Sequence, residues 1–204
     1  VLEGIDGAGT TTQAKLLARW LRRAGREVLL TAQPSEGPIG RLLRQALGRK
    51  VPGREGARLS PQATAALFAA DRADHLAHAI QPALASGADV LCDRYVFSSL
   101  AYQGAECEPS WVAELNRPMP APDLVLYLRV PIEVAGRRRA ARPGTPEIYE
   151  VDAFQRRVAA GYDAAPRWRP DDPVVVIDGT PGVRAVQRAC RRAIATLGPV
   201  GADR

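Results

Sequence analysis

Gly4 and Gly9 stand with four residues between them in the run VLEGIDGAGTTTQ, and hydroxyl-bearing threonines follow at once. Glycines so spaced let a backbone curl until successive N–H groups point inward, which suits a polyphosphate. An apolar Val1-Leu2 precedes the run, and AKLLARWLRR, apolar at Leu16, Leu17, Trp20 and Leu21, follows it. That is the strand, glycine-rich turn and helix a phosphate-binding P-loop requires, with the helix N-terminus adding partial positive charge. Thr11 falls where the loop hydroxyl holds Mg²⁺. The consensus G-x-x-x-x-G-K-[ST] is broken at one place, where Thr10 stands for lysine.

Asp93 follows a buried-type strand, where a Walker-B acid would complete the metal site with Thr11. A strand-end carboxylate capping the next turn is the plainer reading. Arg94 beside it can grip a phosphate bidentately. The stretch then runs DRYVFSSLAYQG, and so many polar side chains at a strand end are costly to bury unless they bind something. In LFAADRADHL, Phe68 and Arg72 share a helix face, able to stack on a planar heterocycle and bond its carbonyl oxygen. From spacing alone, a core Phe beside a solvated Arg is the stronger reading. Arg44 lies in GPIGRLLR, after the second strand.

The elements that must position these residues alternate. Strand-like runs recur at Val28–Thr31, Val90–Asp93, Leu124–Val130 and Val174–Asp178, making five with the opening strand. Helical periodicity fills 13–24, 39–48, 61–86, 109–116, 132–141, 151–165 and 184–197. The pattern predicts an α/β doubly wound domain, a five-stranded parallel sheet with helices on both faces. Ligands of such a sheet gather beyond the strands' carboxyl ends. Gly- and Pro-bearing loops are expected at 48–61 and 142–146, and a frayed tail from Gly198. Val1 reads as mid-strand, so further residues are expected upstream.

At 204 residues, 46% hydrophobic and 25% charged, the chain has the composition of a single soluble globular domain. No run approaches ~20 apolar residues and no signal-peptide pattern opens it, so a cytoplasmic protein is expected. Cys92, Cys107 and Cys190 lack metal spacing and read as reduced thiols. His75 and His78 lack a third ligand and read as core or surface histidines. The net charge of +6 suits polyanions, but the arginines are scattered and form no nucleic-acid-binding module, so small phosphorylated ligands are favoured.

GIDGAGTTTQ, PSEGPIGRLLR, FAADRADHL and DRYVFSSLAYQG, in this order and spacing, resemble the thymidylate kinase family of P-loop nucleoside monophosphate kinases over nearly the whole chain. The resemblance implies ATP as phosphoryl donor, Mg²⁺ held through Thr11 and Asp93, and a homodimer without nucleic-acid or membrane partners. It implies that Phe68 stacks on thymine, Arg72 bonds its exocyclic oxygen, and Ser99 and Gln103 complete the base contacts. Tyr102 would lie beneath the sugar and exclude a 2′-hydroxyl. Gln33 and Pro34 would border the acceptor. Asp6 would reach the 3′-hydroxyl side, and Arg44 and Arg94 would hold the acceptor phosphate. Gly4, Gly7, Ala8, Gly9, Thr10, Thr11 and Thr12 would wrap the donor phosphates. A lid would span about 137–150, its run Arg137–Arg142 including the catalytic candidates Arg139 and Arg142.

The departures fall mainly on donor and transfer groups. Thr10 replaces the lysine, Ala32-Gln33-Pro34 replaces Arg-Glu-Pro, and Glu147-Ile148-Tyr149-Glu150 lacks the family's lid arginine. A lost charge-assisted phosphate contact costs ~1.5–3 kcal/mol of binding, or ~10³-fold in rate where it tightens in the transition state. Arginines 137, 138, 139 and 142 are the candidates to supply the charge Thr10 cannot, whereas Lys15 is expected to point away. The leading expectation is transfer of the γ-phosphoryl group of ATP to dTMP. The alternatives are a nucleotide-binding protein of the same fold with little transfer, and a kinase acting on another monophosphate.

Overall fold

The computed structural model describes residues 1–51, 56–141 and 152–198. The lid phrase and Arg142 lie outside the described residues, as does the tail beyond Gly198. Five strands form one sheet, β1 (Leu2–Glu3), β2 (Val28–Ala32), β3 (Asp89–Asp93), β4 (Val125–Arg129) and β5 (Val174–Asp178), in the order β2-β3-β1-β4-β5. Every pairing is parallel, as the apolar runs predict. Asp93 is level with both Ala32 and Leu2. That register brings the carboxyl ends of β1, β2 and β3 side by side, so three segments distant in sequence open onto one edge.

Helix α1 (Thr10–Arg23) starts at the P-loop, earlier than the apolar period alone indicates, because threonines with no hydrophobic signal form its first turn. It buries Ala14, Leu17, Ala18 and Leu21 against the sheet, while Lys15 faces solvent as expected. Truncating a leucine as buried as Leu17 to Ala would cost about 2–5 kcal/mol. Helix α2 spans Pro38–Leu47 and α3 spans Pro61–His75, each with proline in its first turn, where the missing N–H is not needed. Ser60 caps α3, accepting from the Ala63 N–H at 3.1 Å. A π-helical stretch, Leu76–Ile80, continues it into α4 (Gln81–Ala85), so the predicted long helix is one run of three segments.

The polar stretch after Asp93 is itself helical, a feature the sequence reading lacks. It forms α5 (Val96–Ser98), continued by a π-helical turn, Ser99–Gln103. Its hydroxyls and amide masked the buried Val96, Phe97, Leu100 and Ala101 that anchor it. Single π turns recur at functional sites, and this one carries Ser99, Tyr102 and Gln103. Helices α6 (Pro109–Asn116), α7 (Ile132–Ala140), α8 (Asp152–Trp168) and α9 (Val183–Ala195) complete the cover. Helix α8 packs on the π turn and α9 on α1 and β5.

Candidate active site

Between β1 and α1, the Ala8 N–H donates to the Ile5 carbonyl at 2.9 Å and closes a tight turn. Gly7 has φ +93°, and a Cβ there would come within 2.5 Å of the Ala135 carbonyl of α7, so only glycine fits. Gly9, at φ +100°, begins α1 with open space above it. The first N–H groups of a helix have no intrahelical partner, and here they belong to the turn carrying Thr10, Thr11 and Thr12. Backbone donors and helix dipole thus meet at the open space beside Gly9, an arrangement suited to phosphate oxygens.

The Thr11 hydroxyl donates to Asp93 Oδ2 at 2.5 Å, joining the two residues the sequence assigned to a metal. Asp93 is buried, and its Oδ1 has no hydrogen-bond partner among the described residues. A hydroxyl beside a carboxylate with an uncommitted oxygen matches the hard oxygen donors Mg²⁺ prefers.

Arginines surround the loop that lacks its lysine. Arg94 Nη1 donates to the Gly4 carbonyl at 2.9 Å and Nη2 pairs with Asp6 Oδ1 at 2.5 Å. Arg139, buried in α7, donates to the Asp6 carbonyl at 2.8 Å. Arg138 donates to the Gly179 and Thr180 carbonyls at 3.0 and 3.1 Å and lies 3.5 Å from the carbonyls of Gly7 and Ala8. Of the four candidates to replace the lysine, Arg138 and Arg139 reach the loop and Arg137 is exposed. Both approach through carbonyls, the face opposite the N–H groups, so they polarise the loop from behind. Burial works against the charge of Arg94, yet Tyr102, Tyr162, Asp6 and Asp93 hold its pKa well above the ordinary value.

 A second cluster lies at the ends of the adjoining strands β2 and β3, placed by the register that sets Ala32 level with Asp93. Arg72, 1% exposed, sits at its centre. Its Nε donates to Gln33 Oε1 at 2.9 Å and its Nη1 to Asn116 Oδ1. Its Nη2 donates to the Tyr95 carbonyl at 2.9 Å and to Ser99 Oγ at 3.0 Å. The solvated arginine favoured by helix spacing is therefore corrected: helix periodicity assigns a face, and Arg72 on this face meets the loops after β2 and β3, the π turn and α6. Burial lowers the pKa of Arg72, offset in part by neighbouring Tyr95 and Glu3.

Gln33 also meets His75 Nδ1 at 3.3 Å, and His75 Nε2 meets the Thr31 hydroxyl at 2.8 Å. His75 is a satisfied core histidine, whereas exposed His78 pairs with Asp74 at 3.1 Å. The Gln33–Pro34 peptide is cis. Arg44 donates to the Pro34 and Ser35 carbonyls, both at 2.7 Å, and pairs with Glu36 at 2.9 Å, so it braces the loop after β2. Tyr102 is buried, its hydroxyl accepting from the Asp6 N–H at 3.0 Å and its ring 5.1 Å from the Arg94 guanidinium. Phe68 is half-buried against the core, and Gln103 is buried.

The thymidylate kinase family model matches residues 2–190. The chain belongs to the thymidylate kinase family. A protein of Pyrococcus abyssi (strain GE5 / Orsay), named "Probable thymidylate kinase", is 47% identical over 163 residues, covering 79% of each chain. The "Thymidylate kinase" of Thermomicrobium roseum (strain ATCC 27502 / DSM 5159 / P-2) is 45% identical over 192 residues, 86% of this chain and 89% of its own. In this family member, sequence reading missed Glu3, Asn116, Gln155 and Tyr162. Gln155 Nε2 donates to Asp6 Oδ2 at 3.2 Å, and Tyr162 accepts from Arg94 at 3.0 Å. Two signals were present: an acid inside the apolar opening strand, and polar residues seven apart, hence on one face, in α8.

Proposed function

We propose that the enzyme moves the γ-phosphoryl group of ATP onto a phosphate oxygen of dTMP, giving ADP and dTDP. The observation that carries this is the meeting of the Thr11–Asp93 pair and the Arg94–Asp6 pair around one loop. Donor phosphates then lie over the N–H groups of the P-loop, with Gly4, Gly7, Ala8, Gly9, Thr10, Thr11 and Thr12 around them. Thr11 and Asp93 would hold Mg²⁺, which when bound neutralises charge on the donor phosphates. Arg94 grips the acceptor phosphate, and Arg44 supports it through the loop after β2. The attacking oxygen is already ionised near neutral pH, since a phosphate monoester's second pKa is ≈ 6, so Asp6 need not act as a base. The P–O bond to the new oxygen forms as the bond to the ADP oxygen breaks, and the work of the protein is alignment and charge.

Phe68 stacks on thymine, Arg72 with Ser99 and Gln103 bonds its polar edge, and Tyr102 closes the space at the sugar's 2′ position. Arg138 and Arg139 offset the missing lysine from behind the loop. A nucleotide-binding protein without transfer is not favoured, since family membership covers residues 2–190. We also take the enzyme to be a cytoplasmic homodimer without nucleic-acid or membrane partners. Among the described residues, no helix is long and apolar enough to cross a membrane. ADP release measured with dTMP, dUMP and dGMP tests the reading. Release should depend on dTMP and be weaker with the others; equal rates with dGMP would refute the base assignment.

A further inference from the structure

Glu3 occupies the central strand, 0% exposed, immediately before the first P-loop glycine. A buried carboxyl is tolerated when its oxygens are satisfied, and here both are. Oε1 accepts from the Tyr95 N–H at 2.7 Å and the Ser98 N–H at 3.2 Å. Oε2 accepts from the Ser98 hydroxyl at 2.5 Å and the Tyr162 hydroxyl at 3.1 Å. The same two hydroxyls accept from Arg94 Nη1, at 3.3 and 3.0 Å. A guanidinium can only donate, so Ser98 and Tyr162 accept from Arg94 and keep their own hydrogens for Glu3 Oε2 and for their mutual contact at 2.8 Å. Two hydroxyls thus bridge a carboxyl and a guanidinium.

Arg94 needs such a hold. Its φ of +76° lies in the left-handed region that side chains other than glycine rarely adopt. The amides of Tyr95 and Ser98, which follow it, are the ones Glu3 fixes. Burial raises the Glu3 pKa, while Ser98, Arg94 and the Tyr95 amide pull it back.

We propose that Glu3 is a positioning residue for phosphoryl transfer: through Ser98 and Tyr162 it holds the Arg94 guanidinium against Asp6, where the acceptor phosphate is gripped. This rests on Arg94 contacting that phosphate. Glu3→Gln keeps an oxygen for the two amides but puts an NH₂ against hydroxyls already receiving hydrogens from Arg94.

The test is a double-mutant cycle of Glu3→Gln and Arg94→Ala, read by dTMP affinity in calorimetry and by kcat and KM for each substrate. Glu3→Gln should weaken dTMP binding about tenfold, with KM for ATP changed less than about twofold, and should add less than about twofold in the Arg94→Ala background. Effects that multiply, or unchanged dTMP affinity in Glu3→Gln, would overturn the proposal while leaving Arg94 in place. Wild-type dTMP affinity in Arg94→Ala would remove Arg94 from the acceptor site, and the proposal with it. If Glu3→Gln does not fold, Tyr162→Phe replaces it in the cycle, with a smaller loss and the same non-additivity expected.

Discussion

The proposed acceptor side and the proposed donor side of this site are built differently. Around Arg72 and Arg94, groups from several elements orient one another with hydrogen bonds before any ligand arrives. Around Gly9 the walls are backbone, the space is open, and the lysine position holds Thr10. A preorganised pocket binds through groups already oriented, while a backbone cradle without its cation gives up charge stabilisation. Binding of dTMP and rate of transfer should therefore separate under mutation.

The largest effect expected is from Arg94→Ala, which removes the proposed grip on the acceptor phosphate and its bond to the Gly4 carbonyl of the P-loop. Its kcat/KM for dTMP should fall by ~10³-fold, as for other electrostatic stabilisers; a loss below about tenfold in steady-state kinetics would count against the role. Phe68→Ala should weaken dTMP by about 1–3 kcal/mol, the worth of an aromatic–base stack, and leave ATP alone. Wild-type affinity by calorimetry would take Phe68 out of the pocket. On the donor side, Arg138→Ala should lower kcat/KM for ATP by roughly tenfold, about 1.4 kcal/mol, with dTMP affinity unchanged. A change in dTMP affinity instead would break the separation.

The smallest effect concerns pH. Burial lowers the pKa of His75, with Arg72 adding to the shift and Asp71 opposing it. The folded state thus favours the neutral ring, and this contribution is present above the unfolded value of about 6.5 and lost as pH falls through the lowered folded pKa. Melting temperature should drop more steeply below that pH in wild type than in His75→Gln. Parallel curves would show that His75 does not titrate against folding.

How much of this could be read beforehand follows from sequence distance. The P-loop is local, so Gly4, Gly9 and Thr11 disclosed it, and Asp93 was legible because a strand ended there. The five parallel strands followed from apolar runs. The partners of Glu3 lie 92, 95 and 159 residues away, and nothing local encodes those meetings. The burial of Arg72 was hidden for the same reason, since its partners come from the loops after β2 and β3, the π turn and α6. The helical character of 96–103 was obscured by polar side chains turned inward to the network.

The comparison turns most directly on Thr10→Lys, assayed by dTMP-dependent ADP release with KM determined for both substrates. A cation beside the β- and γ-phosphates should raise kcat/KM for ATP by roughly tenfold or more, since each 1.4 kcal/mol of transition-state stabilisation is a factor of ten. KM for dTMP should stay within about twofold of wild type. A lysine variant with unchanged or lower kcat/KM for ATP would contradict the account, showing that the donor side carries no deficit at position 10.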